Sequence, residues 1–176
     1  MKNKKFIISV LILVSVFFLS SCAKSSIDSG PDEGEWWNNR VFYEIFVRSY
    51  YDSDGNGIGD FQGIISKLDY LSDELGVNGI WLMPINDSPS YHGYDVSDYY
   101  SVNPDYGTMD DFKQLVEECR KRDIKLIIDL VMNHSSIEVS WFKENRDWYI
   151  WNSEKVPSVG PWGQNVWYPD NNEYYY

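Results

Sequence analysis

The sequence predicts an α/β fold in which parallel strands alternate with helices. Three apolar runs of strand length, 41–50, 77–85 and 124–132, are separated by two segments whose apolar residues recur at helical spacing. This order is typical of right-handed βαβ units that form a parallel sheet. Leu126–Met132 is aliphatic apart from Asp129, which indicates a strand covered by helices on both faces.

Residues 1–22 have the pattern of an export signal. Basic residues precede the apolar run Phe6–Leu19, which is shorter than the ~20 residues of a membrane-spanning helix. The run leads into Leu-Ser-Ser-Cys22, which resembles a bacterial lipobox and predicts that lipidated Cys22 anchors the protein in the membrane of the cell envelope. An ordinary cleavage site followed by an incidental cysteine is the alternative. Residues 23–35, rich in Ser, Gly, Asp and Glu, predict a flexible tether before the folded part, 36–135.

Charge and composition narrow the classes of partner. The net charge of −12 argues against nucleic acid, because such binding depends on Lys and Arg that neutralise phosphates. The chain is 17% aromatic, and such rings either stack on sugar faces or fill a core. With Cys22 lipidated, only Cys119 remains, so we expect no intrachain disulfide.

Local signals place the two helices. The first carries apolar residues at helical spacing from Ile64 to Leu75, and Gly76 provides a stop. The second begins at Thr108, which with Asp111 makes a variant of the capping box. Cys119 belongs to its apolar face, which makes this thiol an unsuitable nucleophile.

The pattern changes after Ser135. Five of the eight tryptophans lie between positions 141 and 167, and residues 136–176 contain no convincing helix or strand of useful length. Three strands cannot close an eight-stranded barrel, which takes about 250 residues. The sequence therefore predicts a chain that has been cut short.

A glycine-aspartate loop at 52–60 predicts a calcium site. Oxygen ligands at alternate positions, with glycines between them, allow a short loop to wrap a hard cation, as in EF-hand loops. Gly63 stands where the EF-hand has its bidentate Glu, and a strand precedes the loop, so this is an EF-hand-like loop in another setting. A merely solvated turn is the alternative, and three aspartates exclude a phosphate loop. The predicted ligands are Asp52, Asp54, Asn56, Ile58 through its carbonyl, and Asp60.

The segment Tyr91–Asp95 follows the second strand, where an α/β barrel would build its site. Gly93 lets the backbone turn so that neighbouring rings face a ligand, and His92 can supply a hydrogen bond; a packed turn is the simpler alternative. His92 and His134 are the only histidines, so a zinc site lacks a third ligand of this type. No Gly-x-Ser-x-Gly motif and no assignable pair of carboxylates is present.

Asp129–His134, with the sequence DLVMNH, resembles the first conserved region of the α-amylase superfamily, glycoside hydrolase family 13. The resemblance covers about residues 36–135 in the order and spacing of the family. It implies the N-terminal part of a (β/α)8 barrel, about three strands, and the start of a domain inserted after the third strand, 136–176. The other segments that carry it are Val41–Tyr50, Asp52–Asp60, Gly79–Pro84, Tyr91–Asp95 and Asp105–Phe112.

The resemblance also implies roles for individual residues. Tyr94 would stack on the sugar at the cleavage subsite, and His134 would hydrogen-bond its hydroxyl groups. Asp129 would order the polar network at the strand end. Asn133 corresponds to a ligand of a structural calcium ion in many members. His92 is expected at the same sugar site.

The implied activity is hydrolysis of α-glucans with retention. Exo-acting α-glucosidases of the family tend to carry Asp where Tyr91 stands, so the sequence favours endo-cleavage of α-1,4 bonds. The family's nucleophile and acid lie on later strands, so residues 1–176 alone are expected to be inactive. An exo-acting α-glucosidase, a non-catalytic glycan-binding member and a stand-alone calcium-binding surface protein are the alternatives.

Overall fold

A computed structural model describes residues 35–154, 159–160, 163, 165–170 and 172–176. The chain divides into two compact units, Met1–Asn39 and Arg40–Tyr176. In the first unit, the rings of Trp36 and Trp37 meet edge to face, with centroids 5.5 Å apart. The predicted export signal, Cys22 and almost the whole tether lie outside the described residues. The second unit, which begins at Arg40, contains most of the part that the sequence predicts to fold.

The second unit is built from short helices and strands. In the part of the chain that the structure describes, no helix is long and apolar enough to cross a membrane. In chain order the elements are β1 (Phe42–Ile45), α1 (Phe61–Asp69), β2 (Gly79–Leu82), β3 (Asn86–Asp87), β4 (Asp98–Val102), α2 (Met109–Lys121), β5 (Lys125–Ile128), α3 (Ser140–Glu144), β6 (Trp151–Asn152), β7 (Tyr168–Asp170) and β8 (Glu173–Tyr175).

The central sheet is parallel, as the sequence predicts. Its order is β1-β2-β5, and the register places Glu44 beside Trp81 and Trp81 beside Ile127. α1 lies between β1 and β2 along the chain, and α2 lies between β2 and β5. The strands, α1 and α2 share one buried core that includes Ile45, Ile64, Leu68, Ile80, Leu82 and Leu115.

The strands are shorter than their apolar runs. β1 ends at Ile45 because the backbone then turns into a 3₁₀ helix, Val47–Ser49. β5 ends at Ile128, although the Asp129 N–H still donates to the Leu82 carbonyl at 2.9 Å. Among the described residues β5 pairs with β2 alone and Ile128 is 41% exposed, so cover on both faces stays a prediction.

The helix signals are confirmed with one change. Thr108 and Asp111 form the predicted capping box at the start of α2. Gly76 has φ +70°, as a helix stop requires. The first helix is interrupted, because α1 ends at Asp69 and a π-helical turn, Tyr70–Glu74, follows it.

Residues after Ser135 contain more structure than the sequence predicts. α3 is followed by a small antiparallel sheet in the order β6-β8-β7. This sheet packs on α3 through aromatic side chains. The Phe142 ring of α3 stacks on Trp151 at 5.4 Å and meets Tyr175 edge to face at 5.0 Å. Aromatic residues that are far apart in the sequence thus form a small core. The spacing of aliphatic residues does not predict this core.

Candidate functional site

A carboxylate and two aromatic donors meet at the carboxyl ends of β2 and β5. The Tyr94 hydroxyl donates to Asp129 Oδ2, and the Trp81 indole N–H donates to Asp129 Oδ1, both at 2.7 Å. Asp129 directly follows β5, Trp81 lies on β2, and Tyr94 belongs to the loop between β3 and β4. Both carboxylate oxygens are therefore occupied by side chains of neighbouring segments, which fixes the Tyr94 ring in place.

The electrostatics of this cluster favour the protonated form of Tyr94. The hydrogen bond to Asp129 raises the pKa of Tyr94 to about 12, with smaller contributions from burial and from the charges of Asp129 and Glu44. The hydroxyl thus stays a donor, and the Asp129 carboxylate stays its acceptor. This arrangement fits a supporting role for Asp129, because each of its oxygens already binds a neighbouring side chain.

The loop that carries Tyr94 is held by hydrogen bonds to the imidazole of His92. Backbone N–H of Tyr94 lies 3.1 Å from His92 Nδ1 and donates to it, and Ser90 Oγ lies 3.1 Å from the same nitrogen. Gly93 has φ +78°, and a Cβ there would lie 3.0 Å from the Pro84 side chain, so only glycine suits this turn. The His92 and Tyr94 rings face each other with centroids 6.2 Å apart.

Asp95 anchors the other end of this loop. It accepts hydrogen bonds from the hydroxyl groups of Ser88, at 2.6 Å, and of Ser90. Burial alone would raise the pKa of Asp95, but these two hydrogen bonds outweigh burial and the pKa is lowered. The loop from Ser88 to Asp95 is thus held in one conformation by its own polar side chains.

His134 and Asn133 lie in a different place. Both are exposed and line a cleft of about 420 Å³ with the rings of Tyr99, Trp141 and Trp148, which we call the aromatic cleft. Tyr99 fixes this segment, because its hydroxyl donates to the carbonyls of Val131 at 2.7 Å and His134 at 3.0 Å. Among the described residues, no hydrogen bond joins the His134 imidazole to Tyr94 or Asp129.

Three of the predicted calcium ligands converge. Carboxylate oxygens of Asp52, Asp54 and Asp60 lie within 4.8 Å of one another. Gly57 has φ +92°, a backbone conformation that favours glycine and turns the loop sharply. The Asn56 side chain accepts from the Ile58 N–H at 2.8 Å, so these two residues shape the loop locally. Three carboxylates on a tight loop have the donor chemistry that Ca²⁺ prefers.

Backbone N–H groups hold this loop in shape. Asp52 accepts from the N–H groups of Gly55 and Gly57, both at 2.8 Å. The hydrogen bond from Gly57 is the largest cause of the lowered pKa of Asp52. Asp60 caps α1 by accepting from the Gly63 N–H at 2.6 Å. A cation bound here would therefore brace the start of α1.

Trp81 is the part of the site that the sequence analysis missed. The sequence predicts it only as one residue of the second strand. The alternation of side chains along β2 could have identified it, because Ile80 and Leu82 face the core and Trp81 faces away from it. The register pairs Trp81 with Ile127, and Asp129 lies on the same side of β5 as Ile127.

These features define an α/β protein whose aromatic and polar side chains gather at the strand ends, where barrel enzymes build their sites. Residues 44–176 match the family described as Alpha amylase, catalytic domain, and the chain belongs to this family. It is 47% identical over 149 residues to Alpha-amylase 3 of Dictyoglomus thermophilum, covering 80% of this chain and 29% of that protein. It is 50% identical over 129 residues to trehalose-6-phosphate hydrolase of Bacillus subtilis, covering 68% and 23%.

Solved structures agree with the fold. The alpha-amylase from H. orenii superimposes with a TM-score of 0.71 at 52% identity, covering 78% of this chain and 32% of that one. The Bacillus licheniformis trehalose-6-phosphate hydrolase gives 0.73 at 46% identity, covering 80% and 28%. The strands β1, β2 and β5 are thus the first part of a (β/α)8 barrel. The chain thus spans less than a third of the length of the two relatives named above.

Proposed function

We propose that this chain is the N-terminal part of the catalytic domain of a retaining hydrolase that cleaves α-1,4 bonds within α-glucans. The observation that carries the proposal is the Tyr94–Asp129–Trp81 cluster at the strand ends, in a chain of the α-amylase family. The relatives include an alpha-amylase and several glucosidases. All of these names denote hydrolysis of glucosidic bonds.

Each residue of the cluster has a role in this proposal. Tyr94 offers an aromatic face for the apolar side of a glucose ring, and Asp129 holds that face in position through the hydroxyl group. Trp81 binds the second oxygen of Asp129 and keeps the carboxylate from turning away. His92 holds the backbone of Tyr94. His134, which follows Asp129 after β5, would donate a hydrogen bond to a sugar hydroxyl.

Endo-cleavage is supported by the tyrosine at position 91, where exo-acting members tend to carry Asp. The Tyr91 ring is exposed and lies beside His92, edge to face at 5.4 Å, so it offers an aromatic surface to a further sugar unit. An exo-acting α-glucosidase is the second candidate. It is favoured by the identity of 51% to an oligo-1,6-glucosidase of Parageobacillus thermoglucosidasius. A non-catalytic glycan-binding protein would share the cluster and lack the reaction.

Calcium is the proposed cofactor. The oxygens of Asp52, Asp54 and Asp60 fit a hard cation, with Asn56 and the Ile58 carbonyl completing the loop. The ion would neutralise the mutual repulsion of three carboxylates and so stabilise the loop and the start of α1. Asn133 is proposed as a ligand of a second structural calcium ion. We also propose that the protein is exported and anchored to the cell envelope membrane through Cys22.

Hydrolysis of starch by the complete protein tests the proposal. We expect soluble starch to lose its iodine colour before much reducing sugar accumulates, since internal cleavage shortens chains quickly. The first product should be the α-anomer by proton NMR, as retention requires. Release of glucose alone from chain ends would favour the exo-acting candidate. A folded protein that binds maltooligosaccharides and hydrolyses none would favour the glycan-binding candidate.

A further inference from the structure

We infer that Asn56 is a site of deamidation that a cation in the loop 52–60 protects, an inference that rests on the calcium site of the proposed function. Asparagine is followed by glycine at two positions of the chain, Asn56–Gly57 and Asn78–Gly79. Glycine favours deamidation of the preceding asparagine, because it has no side chain to hinder the approach of its nitrogen to the asparagine side chain. The two pairs share this chemistry, and the structure places them in different surroundings.

The reaction needs only the chain and water. The Gly57 nitrogen attacks Asn56 Cγ, so a bond forms between these two atoms and the bond from Cγ to Nδ2 breaks. Nδ2 leaves as ammonia with the proton that the Gly57 nitrogen gives up, and the chain now contains a succinimide ring. Water opens this ring at either carbonyl group. Cleavage of the new bond gives aspartate, and cleavage of the bond from Gly57 N to the main-chain carbonyl carbon gives isoaspartate.

The pair Asn56–Gly57 lies on the surface of the loop. Both residues are exposed, so water reaches the asparagine side chain and the peptide bond that follows it. A side chain at position 57 would meet open space, which shows that no other segment packs against this turn. The loop can therefore change its main-chain direction here, as the succinimide requires, without disturbing the core.

Hydrogen bonds hold each of the reacting groups in the closed loop. The Gly57 N–H donates to Asp52 Oδ2 at 2.8 Å. Asn56 Nδ2 donates to Asp54 Oδ2 at 3.1 Å, and Asn56 Oδ1 accepts from the Ile58 N–H at 2.8 Å. Attack by the Gly57 nitrogen removes its proton and so ends the hydrogen bond to Asp52. Rotation of the Asn56 side chain ends the other two, so the closed loop resists the reaction.

The same carboxylates connect this protection to the cation. Oxygens of Asp52, Asp54 and Asp60 lie within 4.8 Å of one another. Without a cation these like charges repel, which favours an open loop and frees Asn56 and Gly57. A ligand that binds only the closed loop lowers the population of the open loop about 100-fold when its concentration is about 100 times Kd. Calcium at this concentration is therefore expected to slow deamidation at least about tenfold.

The pair Asn78–Gly79 is an internal control with the same chemistry. Gly79 is buried in β2, where its N–H donates to the Val41 carbonyl at 3.1 Å. Asn78 Oδ1 accepts from the Val41 N–H at 2.6 Å. A Cβ at position 79 would lie 2.7 Å from the Phe42 ring, so this segment is closely packed. A succinimide can form here only after the central sheet has come apart.

Each product changes the loop in its own way. Aspartate at position 56 adds a fourth carboxylate to Asp52, Asp54 and Asp60, and the number of ligand charges is one determinant of calcium affinity. Isoaspartate lengthens the main chain by a methylene group and displaces the ligands on either side of it. Molecules that reach isoaspartate therefore lose the arrangement that binds the cation, and loss of calcium becomes irreversible.

Peptide mapping of the complete protein by mass spectrometry tests this inference. The folded protein is incubated with calcium or with chelator, and an unstructured peptide of residues 53–59 sets the time scale. We expect Asn56 to become aspartate and isoaspartate at least about tenfold faster in chelator than in calcium, with Asn78 unchanged in both. Asp54→Ala should react at the fast rate in both buffers, because a cation ligand is missing. Asp110→Ala, which removes an exposed carboxylate outside the loop, should react like the wild type.

Three results would overturn the inference. The first is Asn56 that stays intact in chelator after the peptide has reacted, and the second is an equal rate in both buffers. The third is simultaneous reaction of Asn56 and Asn78, which would show that the whole sheet opens and not the loop alone. If calcium raises the melting temperature in any of these cases, the proposed calcium site stands and only this inference fails. An equal rate together with an unchanged melting temperature would refute the calcium site as well.

Discussion

The Tyr94 hydroxyl donates to Asp129 across 35 positions of the chain, at a distance of 2.7 Å. This hydrogen bond joins a loop to the end of β5, and the Trp81 indole holds the other oxygen of the same carboxylate. Ligand binding is favoured when side chains are already fixed in the bound orientation, because less conformational entropy is lost. The Tyr94–Asp129 pair therefore holds an aromatic surface in a fixed orientation, as the proposed sugar binding requires.

The ionisation of Tyr94 provides the first test. Its pKa is raised to about 12, so the neutral phenol is favoured in the folded state. The stabilisation that this hydrogen bond contributes is fully present below the ordinary pKa of about 10 and is lost as pH rises through about 12. The difference between the ultraviolet titrations of wild type and Tyr94→Phe should show one step near pH 12. A step near pH 10 would contradict the hydrogen bond.

The calcium loop gives a second prediction. Asp54→Ala should lower the melting temperature in calcium and have little effect in chelator, because the residue acts through the ion. Asp110→Ala, which removes an exposed carboxylate paired with Lys113, is the control and should cost at most about 1 kcal/mol in either buffer. An equal loss for Asp54→Ala with and without calcium would refute the metal site.

The capping box predicts a stability effect that is independent of the site. Thr108 Oγ1 accepts the Asp111 N–H at 3.2 Å, and Asp111 Oδ2 accepts the Thr108 N–H at 2.8 Å. Thr108→Ala should cost about 1 kcal/mol in the free energy of unfolding. Thr108→Ser keeps the oxygen and should be nearly neutral. Denaturant unfolding measures both, and equal stabilities of the two variants would show that the cap contributes nothing.

His134 should affect turnover in the complete protein. A hydrogen bond that strengthens in the transition state lowers kcat when it is removed, so His134→Ala should reduce kcat at least about tenfold with a small change in KM. His92→Ala should instead raise KM, because His92 holds the Tyr94 backbone. Initial rates on maltooligosaccharides separate the two effects. A change confined to KM in His134→Ala would refute its proposed role.

Local patterns predicted those parts of the structure that local chemistry determines. The order of strands and helices, the Thr108 cap and the stop at Gly76 each depend on a few neighbouring residues, and all are confirmed. The grouping of Asp52, Asp54 and Asp60 follows from the loop's alternating oxygens in the same way.

Contacts between distant segments escaped the sequence analysis. Trp81 binds Asp129 because the parallel register places their segments side by side. That register cannot be predicted from the sequence of either segment alone. β1 ends early for a similar reason, since Gly59 N–H donates to the Arg48 carbonyl and holds the chain in a turn. Hydrogen bonds between separate segments of the chain thus decide where an apolar run stops being a strand.

The contact between Tyr94 and sugar is the most direct test of the account. A crystal structure of the complete protein with a bound maltooligosaccharide would measure it. We expect a glucose ring packed on the face of Tyr94, with the Tyr94 hydroxyl still bound to Asp129 and a sugar hydroxyl bound to His134. A glucan bound elsewhere, with the face of Tyr94 open to solvent, would contradict it.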